Sequence, residues 1–174
     1  MLIRPCSSDD LPAVTAIYAY HVLNNTGSFE TDPPSLEEMR MRRKSILQQG
    51  WPYLVAIFQN EVVGYAYAGA FRLRPAYRYT VEDSIYVRQD MHQKGIARAL
   101  LAELITQCEL RGARQMVAVI GDSDNRGSIG LHTALGFEHT GIMRAAGWKF
   151  DKWLDVVTMQ RALGMGDKSA PPQT

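Results

Sequence analysis

A single α/β domain of the α+β kind, built on a mixed and largely antiparallel sheet, is predicted by three observations on this 174-residue chain. Runs of alternating apolar residues are interleaved with runs of helical periodicity, in the order β-α-α-β-β-β-α-β-α-β-β. One short strand, Met116 to Ile120, is apolar almost throughout, as a strand covered on both faces must be. Two strand-to-helix junctions, after Val87 and after Ile120, carry glycine.

The elements follow in order. Met1-Leu2-Ile3-Arg4-Pro5 reads as a first strand. Ser7-Ser8-Asp9-Asp10 supplies capping oxygens for a helix whose Leu11, Val14, Ile17 and Tyr18 share one face. That helix fades at Asn24-Asn25-Thr26-Gly27, and Gly27 to Pro34 reads as an exposed loop. Ser35-Leu36-Glu37-Glu38 is a capping box, with Gly50 as the stop of the second helix. Arg40, Arg42, Arg43 and Lys44 on that helix read as a solvated face, with Glu38 and Arg42 at pairing distance. Tyr53 to Phe58 and Val62 to Phe71 form a hairpin through Gln59-Asn60-Glu61. A polar connection, Arg72 to Tyr79, leads into a strand from Thr80 to Val87. Ile96 to Cys108 is a strongly amphipathic helix. After Met116 to Ile120 a second junction opens a helix that runs to Leu135, with Gly136 as the stop. Final strands are expected at Phe137 to Met143 and Leu154 to Gln160. The domain then occupies residues 1–163, and residues 164–174, rich in Gly, Ser and Pro, are expected to form a flexible tail.

Composition narrows the function. A formal net charge of +1 argues against partners held by a global basic field, such as nucleic acid or a membrane surface. No apolar run approaches the ~20 residues that span a bilayer, and the N-terminus lacks a secretion signal. The two cysteines, Cys6 and Cys108, have no ligand spacing, so neither a metal site nor a disulfide framework follows. A reduced, cytoplasmic protein without a metal is expected.

The chemistry concentrates where Glu82-Asp83-Ser84-Ile85-Tyr86-Val87 runs into His92-Gln93-Lys94-Gly95-Ile96-Ala97-Arg98. A strand carrying a carboxylate passes through a short basic loop into a helix. Gly95 lets a ligand approach the backbone, and the unpaired N–H groups from Gln93 to Arg98 can hold a pyrophosphate, with Lys94 and Arg98 adding charge. Taken alone, the loop reads first as an ordinary helix start, since glycine before a helix is common. A second junction, Asn125-Arg126-Gly127-Ser128 followed by Leu131-His132-Thr133-Ala134-Leu135-Gly136-Phe137, completes a pair.

With both junctions in place the sequence resembles the GNAT acetyltransferase superfamily. His92 to Ala97 matches Gln/Arg-x-x-Gly-x-Gly/Ala, with His92 in place of Gln or Arg and Ala97 at the last small position. Adding Thr80 to Val87, Ser128 to His132 and Gly147-Trp148-Lys149-Phe150-Asp151-Lys152-Trp153-Leu154-Asp155, it is similar to the phosphinothricin and methionine sulfoximine acetyltransferases from about Ile3 to Leu163. The resemblance implies acetyl-CoA as co-substrate, with Ile85, Tyr86 and Val87 meeting the thioester and pantetheine arm. Asn125 would hold the pantetheine amides, cap the following helix, or both.

Acetyl transfer to an ammonium group needs a base, and the resemblance puts the catalytic carboxylate at Glu82; a structural salt bridge is the plain alternative. Asp83 projects to the opposite face of a regular strand. His132 stands where many superfamily members have a tyrosine that protonates the leaving thiolate; it is alternatively a base, or a helix-face histidine satisfied by a carbonyl. Cys108 lies away from these motifs, which favours direct transfer in a ternary complex. On the acceptor side, Phe29, Arg72, Arg74, Glu82, Asp83 and Ser84 are the candidates. An arginine such as Arg72 can grip a carboxylate or phosphinate in two-pronged fashion. Trp148 and Trp153 belong either to a family homodimer interface or to the core. The expected reaction is N-acetylation of a small amino acid or analogue. A peptide or protein N-terminal acetyltransferase, and a non-catalytic acetyl-CoA-binding module, are the rivals.

Overall fold

A computed structural model describes residues 1–171. The expected order is present as β1 (Leu2–Pro5), α1 (Leu11–Asn24), α2 (Leu36–Gln48), β2 (Tyr53–Phe58), β3 (Glu61–Ala70), β4 (Thr80–Val87), α3 (Ile96–Leu110), β5 (Gln115–Gly121), α4 (Arg126–Ala134), β6 (Glu138–Lys149) and β7 (Lys152–Ala162). The strands form one seven-stranded sheet in the order β1-β2-β3-β4-β5-β7-β6. The β4–β5 pair is parallel and its neighbours are antiparallel, as the α3 crossover between β4 and β5 requires.

Alternation along the strands sorts side chains to two cores. On one face Val81, Met116 and Met159 pack under α3, whose Ile96, Leu100, Leu104 and Cys108 recur at helical spacing. On the other, Tyr53, Val55 and Tyr65 pack against Leu11, Val14, Tyr18 and Val22 of α1 and Met39 of α2. Leu104 is fully buried, so its truncation to alanine costs about 2–5 kcal/mol. Gly64 lets α3 approach β3: a Cβ there would meet Tyr86 O at 3.1 Å and Leu100 Cδ1 at 3.2 Å.

One irregularity creates the site. The β4–β5 ladder comprises Thr80↔Gln115, Val81↔Met116 and Glu82↔Val117. Beyond Glu82, β4 stays with β3 as far as Val87↔Gly64, while β5 stays with β7 as far as Gly121↔Val156. The sheet therefore forks at Glu82.

The structure corrects three expectations. The last two strands are longer than Phe137 to Met143 and Leu154 to Gln160. They form a long hairpin that closes on Phe150 and Asp151, both at positive φ (51° and 55°) as a tight two-residue turn demands. A register shift between Met143 and Gly147, with Ala145 at φ 50°, breaks the alternation that would have revealed the strand. Trp148 and Trp153 face each other across this hairpin with ring centroids 5.3 Å apart, and at 55% and 64% exposure they are not core. Nor are Arg42 and Arg43 simply solvated: Arg42 binds Glu30 and Glu38, and Arg43 donates to the Cys6 carbonyl. Past Leu163, Arg114 donates to Gly166 O and Ala170 O and to Ser169 Oγ. Residues 172–174 of the expected tail lie outside the described residues.

Candidate active site

A cavity of about 690 Å³ fills the fork, walled by β4 from Asp83 to Val87, by β5 from Ala118 to Gly121, and by the starts of α3 and α4. Gly95, at φ 76°, is the N-cap of α3 and leaves the first turn without a side-chain cap. Gln93 precedes it at φ 60°, so the loop turns its backbone toward the cavity. Gln93, Gly95, Ile96, Ala97 and Arg98 line that wall. This is the donor array a diphosphate requires. Lys94 departs from the expectation: its ammonium donates to the Asp90 carbonyl at 3.3 Å and rests 3.3 Å from Met91 Sδ, and it is not part of the wall. Ser84, Ile85, Tyr86 and Val87 line the β4 side. Asn125 lines the cavity and caps α4, accepting from Ser128 N at 3.2 Å, so both of its expected roles have the geometry they need.

Glu82 is the last residue of β4 paired to β5, half-buried at the base of the fork. Its carboxyl is held above its ordinary range by burial and by the neighbouring Asp83 charge, with the Arg72 guanidinium opposing. Such a carboxyl is a better proton acceptor than an exposed glutamate.

Asp83 points the other way and is buried. Its Oδ2 lies 3.0 Å from His132 Nε2, while Oδ1 has no hydrogen-bond partner. His132 Nδ1–H donates to the Ser128 carbonyl at 2.8 Å, one helical turn back. Both ring nitrogens are thus engaged, and Nε2 and Asp83 share a proton. Burial works against charge on His132, but Asp83 and the Ser128 carbonyl outweigh it and raise its pKa. The Phe137 ring stands edge-on, 4.9 Å away. Asp83 is part of the cavity wall, with one carboxylate oxygen engaged by His132.

On the opposite face of β4, the Ser84 hydroxyl is bonded to Tyr67. Arg72 is exposed, donates to Phe71 O at 2.9 Å and stacks 4.3 Å over the Phe71 ring, yet still acts on Glu82. Arg74 caps the exposed turn Pro75–Tyr77 and is not part of the cavity wall. Phe29 is packed against Gly121 and Gly147. Both cysteines are buried thiols, and burial pushes Cys108 up to about 12, so neither is poised as a thiolate nucleophile.

Three features had no expectation. His21 Nε2–H donates to Val87 O at 2.8 Å while its Nδ1 accepts from Asn25, and His92 reaches the same carbonyl at 3.2 Å. Thr26 and Gly27 form part of the cavity wall. Lys149 is buried beneath the same loop. Periodicity marked α1 and its end at Asn24, but nothing local shows what a loop will lean on.

Comparison with known proteins places this geometry. The profile of a family described as acetyltransferase (GNAT) domain matches residues 3–158. The chain is 48% identical over 169 residues to the phosphinothricin N-acetyltransferase of Alcaligenes faecalis, covering 97% of this chain and 86% of that protein. It is 42% identical over 170 residues to an L-methionine sulfoximine/L-methionine sulfone acetyltransferase of Pseudomonas aeruginosa, covering 97% and 98%. Among solved structures, a GNAT superfamily phosphinothricin acetyltransferase from Sinorhizobium meliloti in complex with AcCoA superposes with a TM-score of 0.96 at 47% identity, covering 99% of this chain and 93% of that one.

Proposed function

The chain belongs to the GNAT acetyltransferase family, and from that premise we propose that it moves the acetyl group of acetyl-CoA directly onto the α-amino group of a small amino acid or analogue. Acceptors of the phosphinothricin, methionine sulfoximine or methionine sulfone type are favoured by the names of its relatives. The observation that carries the reading is the fork: a cavity suited to a nucleotide thioester opens at Asp83, one residue beyond the half-buried Glu82, which stands at the base of the fork and outside the cavity wall.

The residues present fit acetyl-CoA. The uncapped first turn of α3 suits the diphosphate, Asn125 suits the pantetheine amides, and β4 from Ile85 to Val87 offers backbone along the opened edge. The bound thioester supplies the acyl group. Glu82 takes a proton from the ammonium and frees the lone pair for attack. Free backbone N–H groups of the opened strand polarise the carbonyl. Two protons leave the amine by way of Glu82 and water. One returns to the departing sulfur, so one proton is released per turnover. His132 enters as half of a shared-proton pair: giving Nε2–H to the sulfur requires trading its bond to Asp83 for one to the thiolate. Arg72, beside Glu82, suits the acceptor's carboxylate or phosphinate.

We read residues 1–163 as one catalytic unit, working in the cytoplasm as a homodimer through the exposed Trp148–Trp153 hairpin, without metal, nucleic acid or membrane. Among the described residues, no helix is long and apolar enough to cross a membrane.

The test is an acceptor screen with purified protein and acetyl-CoA, following thiol release with free amino acids and analogues against short peptides. Turnover confined to peptides overturns the acceptor class. Acetyl-CoA binding without turnover on any amine reduces the protein to a binding module.

A further inference from the structure

Lys149, the last residue of β6, is only 5% exposed and makes no salt bridge among the described residues. Its Nζ donates instead to two backbone carbonyls, Asn25 O at 2.9 Å and Ser28 O at 2.7 Å, and lies 4.9 Å from the Phe150 ring centroid. Burying an ammonium this way is costly unless its protons are met, so the arrangement asks for a reason.

The reason lies in what those carbonyls belong to. Asn25 to Ser28 is a strap that leaves α1 and crosses the mouth of the fork. At one end, Asn25 is bonded to His21 and Ser28 to the Tyr18 hydroxyl. At the other, the Thr26 carbonyl and the Phe29 ring occupy the space a Cβ on Gly121 would need, and the same ring fills the space over Gly147. Thr26 and Gly27 face the cavity, while Phe29 continues onto β5 and β6. One buried ammonium thus holds both ends of a strap that forms part of the cavity wall and carries Phe29 at its far side.

We propose that Lys149 is a positioning residue for acetyl transfer: its ammonium fastens the Asn25–Ser28 strap to the β6–β7 hairpin and thereby sets Phe29 against the acceptor. This rests on the acetyltransferase reading above. It accounts for a buried lysine whose protons go to backbone carbonyls, with the Glu30 charge acting on it only from beyond salt-bridge distance, for glycine at both 121 and 147, and for the fixed seat of a loop that composition alone marks as exposed.

Lys149→Met keeps the length and removes the donors. The acceptor KM should rise about tenfold or more, while the acetyl-CoA dissociation constant, measured by calorimetry, stays within about threefold. Amide hydrogen exchange from 25 to 29 should accelerate. Gly147→Ala displaces Phe29 without touching the ammonium and should give the same split, and the double variant should be less than multiplicative. Should Lys149→Met fail to fold, Gly147→Ala and Lys149→Arg carry the same comparison. An unchanged acceptor KM, or an acetyl-CoA constant that moves as far as the acceptor KM, overturns the proposal and leaves Lys149 a stability residue. Absence of amino-acid turnover in the unmodified protein would instead sink the acceptor reading, with strap exchange still deciding what Lys149 holds.

Discussion

Glu82 and Asp83, adjacent on β4, project through opposite faces of the sheet. Glu82 acts on Tyr67 and is acted on by Arg72 on the α1 side, whereas Asp83 bonds His132 of α4 on the α3 side. Strand geometry forces this division, because successive side chains alternate. The consequence is that the proposed proton acceptor for the amine and the proton-sharing pair on the cavity wall lie on opposite faces of one fork. The Asp83 charge also helps keep Glu82 basic.

Glu82→Gln should leave acetyl-CoA binding nearly unchanged and lower kcat by about 10²- to 10⁴-fold, the range of a positioned general base. Activity should partly recover as pH rises and the amine loses its own proton. Steady-state kinetics across pH, with calorimetry for the co-substrate, makes the comparison. Full activity at neutral pH would remove Glu82 from the mechanism.

The neighbours of Glu82 predict opposite shifts of the acidic limb of kcat/KM. Burial and Asp83 raise its pKa, and Arg72 restrains it. Arg72→Met should therefore move the limb to higher pH, and Asp83→Asn to lower pH. The Arg72 shift should be below about one unit, since its charge is exposed and screened. Two shifts of the same sign would mean that the limb reports another group.

Much of this site is legible in the sequence. Thr80 to Val87 and the start of α3 at Ile96 stand where alternation and helical periodicity put them, and Gly95 takes the positive φ that the junction needs. What stayed hidden is contact between distant segments. Lys149 stands in the sequence only as one position of the Gly147 to Asp155 motif, yet it bonds a carbonyl 124 residues away. Arg43 belongs to a basic run, yet it reaches Cys6. Lys94 has the right type and position for a phosphate, but the local loop carbonyl at Asp90 captures it first. Spacing reports which face a residue occupies, and only packing decides whom it meets.

The Asp83–His132 pair predicts how stability changes with pH. The folded pKa of His132 lies above its unfolded value, because Asp83 and the Ser128 carbonyl overcome burial. Its contribution is then complete below about pH 6.5 and fades as pH rises through the raised folded value. Asp83→Asn should cost about 3–5 kcal/mol under mildly acid conditions, as loss of one partner of a buried pair does. The deficit should shrink toward alkaline pH. Denaturant titrations of both proteins across that window test it, and a difference independent of pH would show that the two groups carry no linked proton.

Gly121→Ala tests whether the strap is a fixed wall. The added Cβ would overlap the Thr26 carbonyl and stand 2.8 Å from Phe29 Cε1. A flexible side chain can swing aside, but a backbone carbonyl held between His21-bonded Asn25 and Tyr18-bonded Ser28 cannot move alone. Relief therefore requires either shifting the strap or opening the β5 end of the fork. Overpacking of this kind costs about 1–3 kcal/mol. If the strap yields, acceptor KM rises further than the acetyl-CoA constant, because Phe29 moves with it; if β5 yields, both suffer alike, because Ala118 to Gly121 wall the cavity. The strap is held by a few hydrogen bonds, to His21, Tyr18 and Lys149, and β5 to β7 by a seven-residue ladder, so the strap should move first. Kinetics indistinguishable from the parent protein would show the Asn25–Ser28 segment to be loose in solution.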